Sequence, residues 1–172
     1  YSFVFPNLIK DRKCNLFAEA ASRNYSRSDF IFKSNGTVIH KLASTTNAGS
    51  SLYANMISTG NVKFNSNKDN IIIDLSYSRT NSSSVGWLDY ISINAWRELR
   101  FTSGVMCFRN PECFNAEKIY RYEISGANKS MQVWDVSEPT EPKKMQLQLS
   151  SGKASFTTRG SSGNEFVAFD GS

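Results

Sequence analysis

Histidine is almost missing from this chain: His40 is the only one among 172 residues. A Cys-His nucleophilic pair would have to join it to Cys14, Cys107 or Cys113, the only cysteines. His40 lies in Val38-Ile39-His40-Lys41, a run with the pattern of an ordinary strand, and a strand histidine is its plain reading. The spacings Cys-x-x-Cys and His-x-x-x-His, which gather zinc ligands, do not occur. Nor do a Gly-rich phosphate loop or a Gly-x-Ser-x-Gly elbow. No clustered acid loop asks for calcium. The residues therefore call for no metal and no cofactor. No apolar run approaches the ~20 residues of a membrane-spanning helix, and there is no signal peptide. The chain opens on the apolar stretch Tyr1 to Phe5, without Met or charged leader. This is the start expected of an excised domain or processed product, so missing targeting signals say nothing of compartment.

What is present is β-forming. Hydrophobic residues make up 40%, charged residues 20% and aromatics 13%. The aromatics sit with β-branched residues in short runs, and Asn, Ser, Thr and Gly fill the gaps, a pairing that favours strands and tight turns. Alternation predicts strands at Ser2–Phe5, Cys14–Ala20, Phe30–Lys33, Thr37–Leu42, Leu52–Ile57, Val62–Phe64 and Asn70–Tyr77. Asn35-Gly36 between two of these runs is the strongest hairpin signal in the chain. The β-branched run at Asn70–Tyr77 reads as a central strand. Val85 to Phe108 reads as two successive strands, Trp87–Ala95 and Glu98–Phe108. In the first, Trp87, Asp89, Ile91 and Ile93 share one face. Further strands are expected at Lys118–Ile124, Met131–Val136, Lys144–Leu149, Lys153–Thr158 and Glu165–Phe169. Ser78 to Ser84 reads as one mobile loop. The class expected is all-β: a single domain over residues 1–172, built as a two-sheet antiparallel β-sandwich of jelly-roll type.

The net charge is +5, and the basic excess lies in the first 50 residues, with a short cluster at Lys10-Asp11-Arg12-Lys13. A basic face could meet phosphate or an anionic glycolipid. A cluster this short reads first as solvated surface and not as a nucleic-acid site. Cys107 and Cys113 flank a short loop and could close a disulfide or stay free; the odd count implies no framework. Trp87, beside the serine-rich loop, is the tryptophan best placed for a surface role such as stacking on a sugar, whereas Trp134 is assigned to the core. Arg97 is a candidate to pair with a carboxylate such as Asp89, or to be a solvated edge charge. Asp74 and Asp89 are the acids a glycoside hydrolase would need, though each lies inside a strand.

Three segments carry a family resemblance. They are Trp87-Leu88-Asp89-Tyr90-Ile91-Ser92-Ile93-Asn94 followed by Arg97-Glu98-Leu99-Arg100-Phe101, then Val133-Trp134-Asp135-Val136-Ser137-Glu138-Pro139, and the ending from Phe156 through Glu165-Phe166-Val167-Ala168-Phe169. In order and separation they resemble the region before the protease domain of the type IX secretion sortases, gingipain-family proteins of Bacteroidetes. The resemblance implies a cell-surface cysteine endopeptidase that removes the C-terminal signal domain of its cargo proteins and works with a PorV-type outer-membrane β-barrel. It also implies that the Cys-His dyad belongs to a caspase-like domain downstream of Phe169, so no catalytic residue is carried over to this chain. The function expected is that of a non-catalytic β-sandwich beside that peptidase. A carbohydrate-binding or adhesin sandwich is the second reading, and a glycan-active enzyme using Asp74 or Asp89 the third.

Overall fold

The computed structural model describes residues 1–47, 53–161 and 163–171; Leu52 and Ser162 lie outside them. Among the described residues there is no helix, and every strand pairing is antiparallel. The expected all-β sandwich class is the one adopted. The chain divides into two compact units, Tyr1–Arg97 and Glu98–Ser172, and each has its own pair of sheets and its own core.

The first unit holds β1 (Ser2–Val4), β2 (Cys14–Arg23), β3 (Ser28–Ser34), β4 (Thr37–Ala43), β5 (Asn55–Ser58), β6 (Val62–Phe64), β7 (Asn70–Arg79) and β8 (Val85–Asn94). One sheet has the order β1-β7-β3-β4, so the β-branched run is indeed internal. In the other, β2 carries β5 and β6 on one edge and β8 along the opposite edge. The alternation of β2 sets the core: Cys14, Leu16, Ala18 and Ala20 are buried while their neighbours are half-buried. Against them pack Phe30 and Phe32 of β3 and Ile71 and Ile73 of β7. Each such Leu, Ile or Phe contributes roughly 1.5–3 kcal/mol by leaving water. The β3–β4 hairpin closes at Asn35 and Gly36, with φ of 47° and 87°. Positive φ at both central residues is what the tight two-residue hairpin turn demands, and Asn-Gly supplies it at low cost.

The second unit holds β9 (Val105–Arg109), β10 (Ile119–Ser125), β11 (Gln132–Asp135), β12 (Lys143–Lys144), β13 (Gln148–Ser150), β14 (Lys153–Arg159) and β15 (Glu165–Phe169). Its sheets have the orders β10-β14-β13 and β12-β11-β15-β9. Phe108, Tyr122, Phe156 and Phe166 form a ring cluster at its centre, with centroid separations from 5.1 Å for Tyr122–Phe156 to 6.4 Å for Phe108–Phe156. Burial first, and then the neighbouring Cys113 thiol, push the Tyr122 hydroxyl far above its ordinary pKa.

The two successive strands at the chain's centre take different partners: β8 pairs with β2 and β9 pairs with β15, and the division between units falls at Arg97/Glu98. Of the predicted Glu98–Phe108 strand only residues 105–108, within β9, are extended in a ladder; Leu99 and Phe101 make backbone bonds to Ser125 instead. The serine-rich segment is also tied down. β7 runs on to Arg79, whose Nη1 donates to the carbonyls of Ser82 and Ser84, each at 3.1 Å, and Asn81 Oδ1 accepts from the Ser83 amide.

Candidate functional site

The residue singled out for a surface role, Trp87, owes its position to a β-bulge. Glu19 of β2 lies opposite Tyr90, yet Ala20 lies opposite Leu88, which leaves Asp89 as an extra residue on β8. An extra residue reverses the alternation of side chains. Leu88 therefore packs on the core before the bulge, and Ile91 and Ile93 do so after it. Trp87 and Tyr90 fall together on the outer face, opposite Ala21 and Glu19. Strict alternation had grouped Trp87 with Ile91 and Ile93; the bulge corrects that grouping.

The outer face is rich in rings. Trp87 is 47% exposed and Tyr90 43%, and Met56 of β5, opposite the same Ala21, is 60% exposed. Phe17 stacks on Tyr90 with centroids 5.8 Å apart and planes at 29°. Local desolvation, then the charges of Glu19 and Asp89, hold the Tyr90 phenol above its ordinary pKa. Phe17, Trp87 and Tyr90 thus share the outer face of β2 and β8, with the Glu19 and Asp89 carboxylates near Tyr90.

Arg97 does not join this face by an ion pair with Asp89; none forms among the described residues. Its Nε donates to the Pro6 carbonyl at 3.0 Å, and its backbone bridges Leu8. Arg97 thus fastens the segment after β1. Next to it, the Arg12 guanidinium lies 3.8 Å from the centre of the Trp96 ring.

Trp134 is not the core residue of its strand. Val133 is buried, so alternation turns Trp134 to the other face, half-buried, where its Nε1 donates to Gln132 Oε1 at 3.2 Å. Asp135 does hold the following turn, accepting from the Ser137 amide at 3.0 Å and from the Ser137 hydroxyl.

Among the described residues no hydrogen bond joins His40 to a cysteine. All three cysteines are free. Cys107 and Cys113 do not form the bridge their spacing allowed, because Met106 takes the core side of β9 and turns Cys107 outward, while Cys113 is buried in the core. Cys14 is buried on β2, and burial raises its thiol pKa, which disfavours the thiolate a nucleophile needs. His40 sits on β4 of the first unit beside Phe32. Asp74 and Asp89 are exposed on different sheets, β7 and β8. Among the described residues no three of His, Cys, Asp and Glu gather as metal ligands would.

One feature escaped the linear reading. A cleft of about 790 Å³ in the first unit brings Lys63 and Lys68 to the Lys10–Lys13 cluster.

No protein-family model and no curated protein matches the chain. A solved structure does: the crystal structure of dimeric latent PorU from Porphyromonas gingivalis, with a TM-score of 0.80 and 16% identity over 99% of this chain. The chain spans 17% of the length of that PorU chain. The two compact units of antiparallel β-structure described above thus have a PorU-like fold.

Proposed function

We propose that residues 1–172 are a non-catalytic β-domain of a cell-surface, gingipain-family cysteine endopeptidase that removes the C-terminal secretion signals of type IX cargo. The observation that carries this reading is the PorU-like fold across 99% of the chain, when the chain spans only 17% of PorU. The sequence resemblance, which runs through β8, β11, β14 and β15, points the same way. In this proposal the two units act as one domain that positions a downstream caspase-like domain. The protein works at the outer membrane's extracellular face, beside a PorV-type β-barrel, and meets its cargo there.

Deleting residues 1–172 from the parent protein is expected to slow cargo processing at the cell surface on the order of 10²-fold, the loss expected when a reacting site is no longer held in place. The paired substitutions His40→Gln and Cys107→Ser are expected to leave processing unchanged. Undiminished processing after the deletion, or peptide cleavage by residues 1–172 alone, would overturn the proposal.

The ringed outer face favours a second reading, a carbohydrate-binding or adhesin module. Its mark would be a glycan-array signal that disappears on Trp87→Ala. The side chain is half-buried, so the truncation should cost about 1 kcal/mol of stability and leave the unit folded. A glycan signal unchanged by Trp87→Ala would remove this reading.

A further inference from the structure

The cleft that gathers the first unit's lysines has the chemistry of an anion site. Lys10 and Lys13 reach it from the segment leading into β2, Lys63 from β6, and Lys68 from the loop before β7. Asp11 is the one carboxylate in its lining. All four lysines are exposed, and none makes an ion pair among the described residues. Four cations against one carboxylate repel one another, and that repulsion is relieved by a bound polyanion.

A second observation is independent of charge. Ser34, at the end of β3, lines the same cleft, and it is 6% exposed. Its hydroxyl is buried without a hydrogen-bond partner. Buried hydroxyls are nearly always bonded, and leaving one unpaired costs about 1–3 kcal/mol. In this structure that hydroxyl is shut off from water, so an acceptor oxygen takes the bond only where the cleft wall gives way beside it. The volume, about 790 Å³, leaves room for a compact organic ligand. The walls add apolar surface from Val38 and Ile39 for a carbon skeleton.

We propose that this cleft binds a compact ligand bearing multiple phosphate groups, with Lys10, Lys13, Lys63 and Lys68 on the phosphate oxygens and the Ser34 hydroxyl donating to one of them. Lysine ammonium groups act here as mobile point charges, which suits phosphate groups of varied placement. The site does not depend on the peptidase reading, and it shares no residue with the ringed face of β8.

The test uses residues 1–172 and inorganic tripolyphosphate as the probe, with binding measured by calorimetry at low salt. Saturable binding is expected, weakening as salt rises. The double variant Lys63→Gln, Lys68→Gln should lose at least about tenfold in affinity, whereas Lys143→Gln, Lys144→Gln in the second unit should lose none. Ser34→Ala should cost about three- to tenfold, the loss of one hydrogen bond with no change of charge. Vesicles of phosphatidylcholine and phosphatidic acid form the other arm. Binding to those vesicles without binding to tripolyphosphate would overturn the proposal in favour of a membrane-facing surface. Equal losses in the two lysine pairs, or a Ser34→Ala variant that binds as tightly as the parent, would overturn it too, leaving only diffuse surface charge.

Discussion

Phe166→Ala is expected to destabilise the second unit by about 3–5 kcal/mol, the range for emptying a large aromatic site in a packed core. Phe166 is 1% exposed and lies on β15, which pairs with both β11 and β9. Its ring stands 5.1 Å from Phe156, 5.2 Å from Tyr122 and 5.5 Å from Phe108. Removing it takes a member from every one of these contacts and opens a hole that rigid strands on both sides cannot close. The expected loss is a large fraction of the 5–15 kcal/mol that holds an ordinary domain folded. Urea unfolding read at a fluorine label on Trp134, opposite Val167 on β15, reports it directly. The label on Trp87 reports the first unit in the same titration, and its unfolding in step would support the proposed single domain. A loss below about 1 kcal/mol at Trp134 would mean that the ring cluster is not the core of that unit.

Gly126→Ala should be strongly destabilising for so small a substitution, because it combines a backbone clash with a positive φ. Gly126 has φ of +72°, and a Cβ there would lie 2.2 Å from the Phe101 carbonyl oxygen. The positive φ alone costs an alanine about 1–2 kcal/mol. The clash adds more, because the carbonyl cannot simply retreat. The Phe101 amide donates to the Ser125 carbonyl at 2.8 Å, the Ser125 amide donates to Leu99 at 2.9 Å, and the Phe101 side chain is buried. Each of those hydrogen bonds broken in the adjustment costs about another 0.5–1.5 kcal/mol. Gly152→Ala is the control: φ is +74° but nothing lies within 4 Å of the added carbon. The difference between the two variants in urea midpoint isolates the clash. Equal midpoints would show that the Leu99–Phe101 segment yields freely.

The turn at Asn35-Gly36, the internal place of β7 and the buried face of β2 were all legible in the residues, since a turn type and a period of two are properties of a few consecutive residues. Val62–Phe64 and Glu165–Phe169 were legible to the residue. The outer position of Trp87 was expected for its nearness to a polar loop, yet its partners Tyr90 and Phe17 were not. Nothing in the local pattern marks Asp89 as an inserted residue; the bulge shows only against the ladder of β2. Trp134 and Val133 compete for the same inward position, and size favoured the tryptophan in the sequence while strand phase gave the place to valine.

The amino-acid order by itself determined the strand class and the hairpin, because these depend on neighbours a few residues apart. Only the tertiary structure decided that β8 and β9 part company, that the Asp89 bulge gathers rings on one face, and that lysines from positions 10 to 68 share one cleft with a buried hydroxyl. Those outcomes turn on which distant strands pair and in what register, and each pairing is settled by the burial it achieves against the whole sheet, a quantity no short stretch of sequence contains.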